Sequence, residues 1–348
     1  MKSTPAIRAI AVLGVVALVA ACGSSTKSAA PSSGSNTGAK ANLTVVMGYI
    51  ADVEDYGFEY ALHQGLYAAQ GLNVKLIPGG QGVDQVQQVV AGQAQVGIDG
   101  AEMILPAVGK GQQLKVIGSE FQKSPVAMTC RKDSGVTNPG QLKGKKVGVK
   151  PTVGPLLALF LSKNGLSTSD ISQVPIGGSD ISAIIAGQVQ CEFTTFAFNE
   201  PKEIEDQGVP VNVIPIANYG LPAQEDAYFV TKAYFDKPGN QAILVKFLKA
   251  TAEGWMTFFK NPDAAAKYMI DHAFVDGLDL KQQIYQAQQQ VAYMKSPVTA
   301  SEGIMAVDPP VWVQTAQNLY AEKVTDTLIP TADLLTNDLL KQANVPKL

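Results

Sequence analysis

A six-residue motif is written twice in this chain. Ala91-Gly92-Gln93-Ala94-Gln95-Val96 returns as Ala186-Gly187-Gln188-Val189-Gln190-Cys191, 95 residues later. The landmarks around it repeat in the same order. Gly71-Leu72 and Gly165-Leu166 each open an apolar stretch, and Gly79-Gly80 before Val83-Asp84 is matched by Gly177-Gly178 before Ser179-Asp180. Each copy reads strand, helix, Gly-Leu, strand, Gly-Gly, helix, AGQ, strand. Solenoid repeats run ~20–50 residues, so a period this long is of another kind. Two copies of a βαβ-type unit predict two similar α/β lobes with a cleft between them.

In the first copy, Leu43–Met47, Leu72–Ile77 and Gln95–Ile98 read as strands, followed by Leu114–Ser119 and Val126–Arg131. Phe58–Gln70 and Val83–Ala91 carry helical apolar spacing between them. The second copy gives strands at Lys145–Val149, Ser172–Ile176, Cys191–Thr195, Val211–Ile216 and Ala227–Thr231, with helices at Pro155–Asn164 and Ile181–Ala186. Strands alternating with helices predict a mainly parallel sheet covered on both faces. Beyond Thr231 the pattern is helical: Gln241–Lys260, a helix capped by Asn261-Pro262-Asp263, Lys281–Met294 and Pro310–Glu322. These helices have no third sheet to cover and are expected to pack on the first lobe, with Trp255 and Trp312 in its core. The chain then crosses between lobes twice, which makes a hinge.

The N-terminus sets the expected compartment. Lys2 and Arg8 precede an uncharged run, Ala9–Ala21, shorter than the ~20 residues of a membrane span. It reads as a secretory signal peptide. Its last residues, Val19-Ala20-Ala21-Cys22, resemble the bacterial lipobox, in which the Cys becomes the lipidated first residue; the alternative is ordinary cleavage near Ala21. Gly23–Ala41, rich in Ser, Gly, Ala, Thr and Pro, cannot bury a core and reads as a flexible tether. The expected organisation is residues 1–21 signal peptide, 22–41 lipidated Cys and tether, 42–129 plus 230–348 lobe 1, and 130–229 lobe 2.

Composition excludes several classes. The chain carries 27 Lys and Arg against 30 Asp and Glu, net −3, and Arg131 is the one Arg after the leader. This argues against nucleic acid and against a basic membrane-binding surface. Cys130 and Cys191 either form a disulfide, as an extracytoplasmic setting permits, or are two small buried residues of neighbouring strands. No spacing suggests zinc, and Gly79-Gly80-Gln81-Gly82 lacks the Gly-Lys-Ser/Thr ending of a phosphate loop. No metal or cofactor is expected.

At the level of motifs the chain resembles the solute-binding lipoproteins of ABC importers, in the branch shared by pyrimidine-precursor, riboflavin, sulfonate and nitrate binders. The resemblance runs from about Leu43 to Tyr320. It rests on Met47-Gly48-Tyr49-Ile50 with Phe58 and Ala61, Gly71-Leu72-Asn73-Val74, Gln122-Lys123-Ser124-Pro125, Leu142-Lys143-Gly144-Lys145-Lys146-Val147-Gly148-Val149, and Asn199-Glu200-Pro201. The last motif is found especially in relatives that bind pyrimidine precursors or flavin. The chain departs from the family where Gln95 and Gln190 stand in place of an Asp, and in the loop Ala51–Tyr56, which lacks the usual Pro and Asn. The resemblance implies an α/β type II periplasmic-binding-protein fold, strand order 2-1-3-n-4 in each lobe, and partnership with an ABC permease and ATPase. It also implies a lipid-anchored extracytoplasmic location; we expect a monomer.

Ligands of open α/β sheets bind outside the carboxyl ends of the strands. Those ends bring Asp52, Glu54, Asp55, Tyr56, Glu102, Thr152, Gly154, Phe196, Phe198, Asn199, Glu200, Asp226 and Tyr228 towards one cleft. Acidic and aromatic side chains dominate, and Lys150 and Lys123 are the nearby cations. Sulfonate, nitrate and phosphate favour Arg forks or open helix N-termini. Carboxylates instead accept from ring N–H and amino groups, and aromatic rings stack on flat ligands. A neutral or weakly cationic nitrogen heterocycle fits best, with a sulfonate-type ligand as the alternative. Tyr56, Phe196 and Tyr228 either stack on it or belong to the lobe core. Thr152-Val153-Gly154, ahead of a helix, offers backbone N–H groups.

An enzyme reading finds little support. His63 and His272 are the two histidines, both in predicted helices, and no Gly-x-Ser-x-Gly elbow or Cys-His pair appears. Eukaryotic pyrimidine synthases of similar fold carry His-x-Gly-x-Tyr after the first strand and a cysteine cluster. Here the segment is Asp55-Tyr56-Gly57-Phe58-Glu59 and the cluster is missing. A membrane-tethered sensor presenting the same ligand is a third possibility that the clamp alone does not separate from import.

Overall fold

Ten strands form two five-stranded sheets of identical order in this computed structural model, which describes residues 40–80, 82–151, 153–177, 181–273 and 277–348. The signal peptide, Cys22, nearly all of the tether and Thr152 lie outside the described residues. The strands are β1 (Ala41–Val46), β2 (Leu72–Ile77), β3 (Val96–Asp99), β4 (Leu114–Phe121), β5 (Val126–Arg131), β6 (Lys146–Val149), β7 (Ser172–Pro175), β8 (Cys191–Phe196), β9 (Val211–Pro215) and β10 (Glu225–Thr231). One sheet runs β2-β1-β3-β10-β4 and the other β7-β6-β8-β5-β9. In each, three strands are parallel and the inserted fourth is antiparallel to both neighbours.

The expected lobe boundary, near Cys130 and Tyr228, needs correction. Val126–Arg131 pairs along its length with β8 and β9, so the whole strand belongs to the second lobe. Glu225–Thr231 pairs with β3 and β4, so Asp226 and Tyr228 belong to the first. Membership is decided by partners distant in sequence (Tyr228 lies opposite Ile98 and Gly118), which no local pattern reveals. The crossings are therefore Gln122–Pro125 and Ile216–Gln224. They are tied together: Gln224 Nε2 donates to Gln122 Oε1 at 3.0 Å, and Ser124 Oγ to Glu225 Oε1 at 2.8 Å.

The doubled motif is a structural joint. Gly92 and Gly187 both take left-handed φ, 75° and 70°, just past the end of a short helix, a position suited to a residue without Cβ. Each following Gln then clamps the next strand to the first. Gln95 donates its N–H to Thr44 O and accepts from Thr44 N through Oε1, both at 2.9 Å. Gln190 does the same to Lys146, at 2.9 and 2.7 Å. The two positions that depart from the family pattern thus serve the scaffold. In the second lobe β8 begins at Cys191, directly opposite Cys130 on β5, and the two form a disulfide that is fully buried.

Helices of the C-terminal third pack on lobe 1, and helix Pro309–Ala321 also meets the second crossing, where Thr315 and Asn318 donate to Pro222 O and Gly220 O. Helix Asn240–Lys260 buries Phe247, Trp255 and Phe258 in the same core as Leu43, Val45 and Leu72. It touches helix Tyr56–His63 backbone to backbone: a Cβ on Gly254 would lie 2.2 Å from Gly57 O. The expected helix Phe58–Gln70 is broken at Gly65, φ 69°, into Tyr56–His63 and Leu66–Ala69. Pro262 sits in the first turn of helix Pro262–His272, with Asn261 Oδ1 accepting from Ala264 N at 3.0 Å. Among the described residues no helix is long and apolar enough to cross a membrane.

Candidate ligand cleft

Lobe 1 contributes a carboxylate floor. After β1 the chain enters a one-turn helix, Val53–Asp55, whose N-cap is Asp52: Oδ1 accepts from Glu54 N at 2.7 Å. This turn is held from above by helix Leu280–Gln290. Gln286 Nε2 donates to Asp52 Oδ2 at 2.9 Å and to Glu54 Oε1 at 2.7 Å. Gln283 Oε1 accepts from Val53 N at 2.8 Å, and Gln290 Nε2 donates to Val53 O at 3.3 Å. Spacing at i, i+3 and i+7 puts these three amides on one helix face. A run that reads from sequence as merely amphipathic is in fact a buried amide ladder matched to an acidic turn.

Deeper in the floor, β3, β4 and β10 bring Asp99, Glu102, Glu120, Glu225 and Asp226 close together. Asp226 has φ 48°, left-handed for a residue with a side chain, at the head of a strand that carries a register shift at Tyr228/Phe229. Two glycines make room. A Cβ on Gly48 would lie 3.1 Å from Asp226 Oδ1, and one on Gly100 would lie 2.4 Å from Glu225 Oε2 and 2.5 Å from Glu102 Oε1. Glu102 and Glu225 are hydrogen-bonded to each other, a contact that needs a proton between them, and burial and the Glu102 charge hold Glu225 well up.

The whole floor titrates high because burial penalises its charge and its neighbours repel. Asp52 is pushed up to about 6, mainly by burial, with Glu200 adding and the Glu54 and Gln286 hydrogen bonds opposing. Asp226 is pushed up to about 7 by burial, then by Glu102 and Asp52. Glu54, Asp55, Asp99 and Glu120 are all held well above the ordinary carboxylate range, with burial the first cause of each.

Lobe 2 answers with little charge. Lys150, at the end of β6, donates to Thr194 O at 2.8 Å and lies 3.8 Å from Glu200 Oε1. Glu200 opens helix Glu200–Asp206, and its Oε2 accepts from Phe196 N at 2.7 Å. Thr194, φ 66°, is also left-handed, on β8, the counterpart of β3. Asn199 reaches across to lobe 1: its O and Oδ1 accept from Gln282 Nε2 at 3.1 and 2.9 Å, and its amide points at Asp52 Oδ2 over 3.5 Å. Lys281 meets Asp206 at 3.4 Å beside this contact, so the jaws are closed on each other here.

The expected site residues therefore divide. Asp52, Asp55, Glu102 and Asp226 lie together in the floor, and Asn199 and Glu200 stand opposite. Gly154 starts helix Gly154–Lys163 with open space beside it. Phe196 is half-buried at the crossing, edge-on to Phe121 and Phe198. Tyr56 is core: its hydroxyl bonds Thr257 and its ring packs on Tyr60, Phe258 and Tyr268. Tyr228 is fully buried against Phe58, with its hydroxyl towards Glu120. Sequence reasoning missed Glu120 and Glu225. The available signal is Glu120 near the end of the mostly apolar β4 and the Glu225-Asp226 pair that opens β10. Arg131 lies at the opposite end of lobe 2, paired with Asp133 at 2.7 Å in a polar surface hollow. Among the described residues no group of three His, Cys, Asp or Glu is arranged to hold a metal ion.

Comparison with known proteins agrees with this architecture. The chain is 25% identical to a riboflavin-binding protein of Chloroflexus aurantiacus over 94% of its own length and 95% of the relative's. It is 23% identical to a Haemophilus influenzae protein named for thiamine biosynthesis, over 63% of this chain and 73% of that one. The alkanesulfonate-binding protein of Xanthomonas axonopodis superposes with a TM-score of 0.65 at 15% identity, covering 86% and 99% of the two chains. Its counterpart from Escherichia coli does so with a TM-score of 0.61 at 18% identity, covering 85% and 92%. The fold is the periplasmic-binding-protein fold. The NMT1/THI5-like family model matches residues 54–265, from the acidic turn of lobe 1 through all of lobe 2 to the first turn of helix Pro262–His272, and the chain belongs to that family.

Proposed function

We propose that this chain is the extracytoplasmic solute-binding component of an ABC importer, a monomer tethered by lipid on Cys22, that delivers a small flat nitrogen heterocycle to its permease. The observation that carries the reading is the cleft's one-sided chemistry. Carboxylates from Asp52 to Asp226 dominate the lobe 1 side, Lys150 across from them already serves Thr194 and Glu200, and Arg131 is elsewhere. Such a lining accepts hydrogen bonds and repels anions, which favours amino and ring N–H groups over sulfonate or nitrate. The names of two relatives, one for riboflavin binding and one for thiamine biosynthesis, point to the same ligand type. A catalytic role has less support: His63 and His272 pack on each other, on helices Tyr56–His63 and Pro262–His272. A thermal-shift panel of thiamine pyrimidines, flavins, taurine and nitrate tests the proposal. A ligand at 100 times its Kd adds about 2.7 kcal/mol of stability. Stabilisation by taurine or nitrate and by no heterocycle would overturn it.

A further inference from the structure

On Glu120, Glu102 and Gln282, which face the cleft, the unsatisfied buried atoms are acceptors. Glu120 is 2% exposed, and its Oε1 is buried without a hydrogen-bond partner. The same holds for Oε2 of Glu102, and for Oε1 of Gln282, which is 6% exposed and next to Asn199. Donors in the same region are occupied: the Gln286 amide by Asp52 and Glu54, and the Lys150 ammonium by Thr194 and Glu200.

Charge is equally one-sided. Asp226 is faced by Asp52 and Asp55 from the β1 turn, Glu102 from the β3 side, Glu120 from β4 and its own neighbour Glu225. None of these six carboxyls makes an ion pair with a Lys, Arg or His among the described residues. A buried carboxylate without a counter-charge is costly unless it is protonated or a partner arrives. A metal ion is a poor candidate for that partner, since no three of these groups are arranged to hold one.

We propose that the solute is a planar organic cation, a protonated amino-heterocycle or amidinium, whose N–H groups are donated to Asp226, Glu120 and Glu102 and whose arrival releases protons from this cluster. The proposal rests on the cleft being the solute site and names the charge of what enters it. A flat cation with N–H groups on adjacent edges matches carboxylates in a fork, which a metal or a compact ammonium does not. Burial and mutual repulsion hold Asp226 up to about 7 and Asp52 up to about 6, so near neutrality the floor shares protons. A cation binds the ionised form, so affinity rises as pH climbs through that range.

Titration calorimetry on the mature protein tests this. The cationic probe is benzamidine, a planar amidinium; the uncharged comparators are its isostere benzamide and riboflavin. Benzamidine should bind at least about tenfold tighter than benzamide near pH ~8, the difference carried by about 1.4 kcal/mol. The advantage should shrink towards pH ~5 as the floor protonates. Heats measured in buffers of different ionisation enthalpy should show a proton released. Asp226→Asn should erase most of the advantage, and Asn tolerates the left-handed backbone there. Glu120→Gln should act in the same direction if Asp226→Asn folds poorly. Binding of the neutral compounds alone, or equal binding of the isosteres with no proton released, would overturn the charge and leave the heterocycle reading standing. Binding of sulfonates alone would overturn both.

Discussion

Lobe 1 and lobe 2 carry the same five-strand order and the same glutamine clamp, Gln95 in one and Gln190 in the other. They differ in what stands at the strand ends and in what supports it. The lobe 1 jaw is a bank of carboxylates, held up by an amide ladder and a long helix that arrive from the C-terminal third of the chain. The lobe 2 jaw holds one lysine–glutamate pair, and its sheet is fastened internally by Cys130–Cys191. A duplicated scaffold can thus diverge where it meets the ligand while the joints beneath stay the same.

The largest effect should come from removing the fastening of lobe 2. The disulfide joins positions 61 apart in sequence, and in the chain-entropy model closing such a loop contributes about 4 kcal/mol. Trp255 is buried in the lobe 1 core, whereas Trp312 shares a core with lobe 2 residues including Cys130, so Trp312→Phe provides the background for a lobe 1 reporter. A Cys130→Ala/Cys191→Ala variant should therefore lose circular-dichroism signal at lower denaturant while the tryptophan midpoint stays in place. If both probes shift together, the lobes unfold as one unit and the division drawn here is wrong.

Next in size is the pH response of lobe 1. Unfolded carboxyls ionise near pH ~4. In the folded chain Asp52 holds its proton to about 6, and Asp226 and Glu59 to about 7. Across that window the folded state binds more protons than the unfolded one, so stability falls as pH rises, at about 1.4 kcal/mol per unit for each independent group. The ligand-free protein should be most stable near pH ~4–5 and lose a few kcal/mol by pH ~7–8. Glu203, pushed up to about 7 mainly by burial, is lobe 2's share of this. A tryptophan-monitored midpoint that rises with pH would contradict the carboxylate floor.

The smallest effect tests the symmetry itself. Gln95→Ala and Gln190→Ala each remove one side-chain acceptor from a strand N–H, and each should cost about 1 kcal/mol. Unequal costs, measured by denaturant titration, would mean that the two joints are not equivalent.

Much of this was legible in the residues. The repeat implies two similar α/β lobes, the family resemblance implies one strand order for both, and Leu72–Ile77 and Val126–Arg131 read from sequence with the bounds of β2 and β5. What stayed hidden is non-local. Sheet membership of β5 and β10 depends on partners far along the chain, so the boundaries at Cys130 and Tyr228 fell inside strands. Helix Ala101–Gly109 was obscured by Pro106. Tyr56 and Tyr228 alternate with acids in sequence, yet their rings turn into the core. The role of Gln283, Gln286 and Gln290 is visible only once the turn at Val53 lies beneath them.

One feature of the sheets bears on the order in which the molecule forms. All five strands of lobe 2 come from one uninterrupted stretch, Val126 to Pro215, whereas the strand between β3 and β4 of lobe 1 is β10, made only after lobe 2 is complete. As the chain emerges from its N-terminal end, lobe 2 can close its sheet while lobe 1 still has a gap at its centre, and non-local pairing of this kind is slow. Pulse-labelled hydrogen exchange should show amides of β6 and β8 protected before those of β3. Earlier protection of β3 would refute the order. The lobe that begins first in the gene is then the last to become native, and its acidic jaw takes shape only when the hinge has already been threaded.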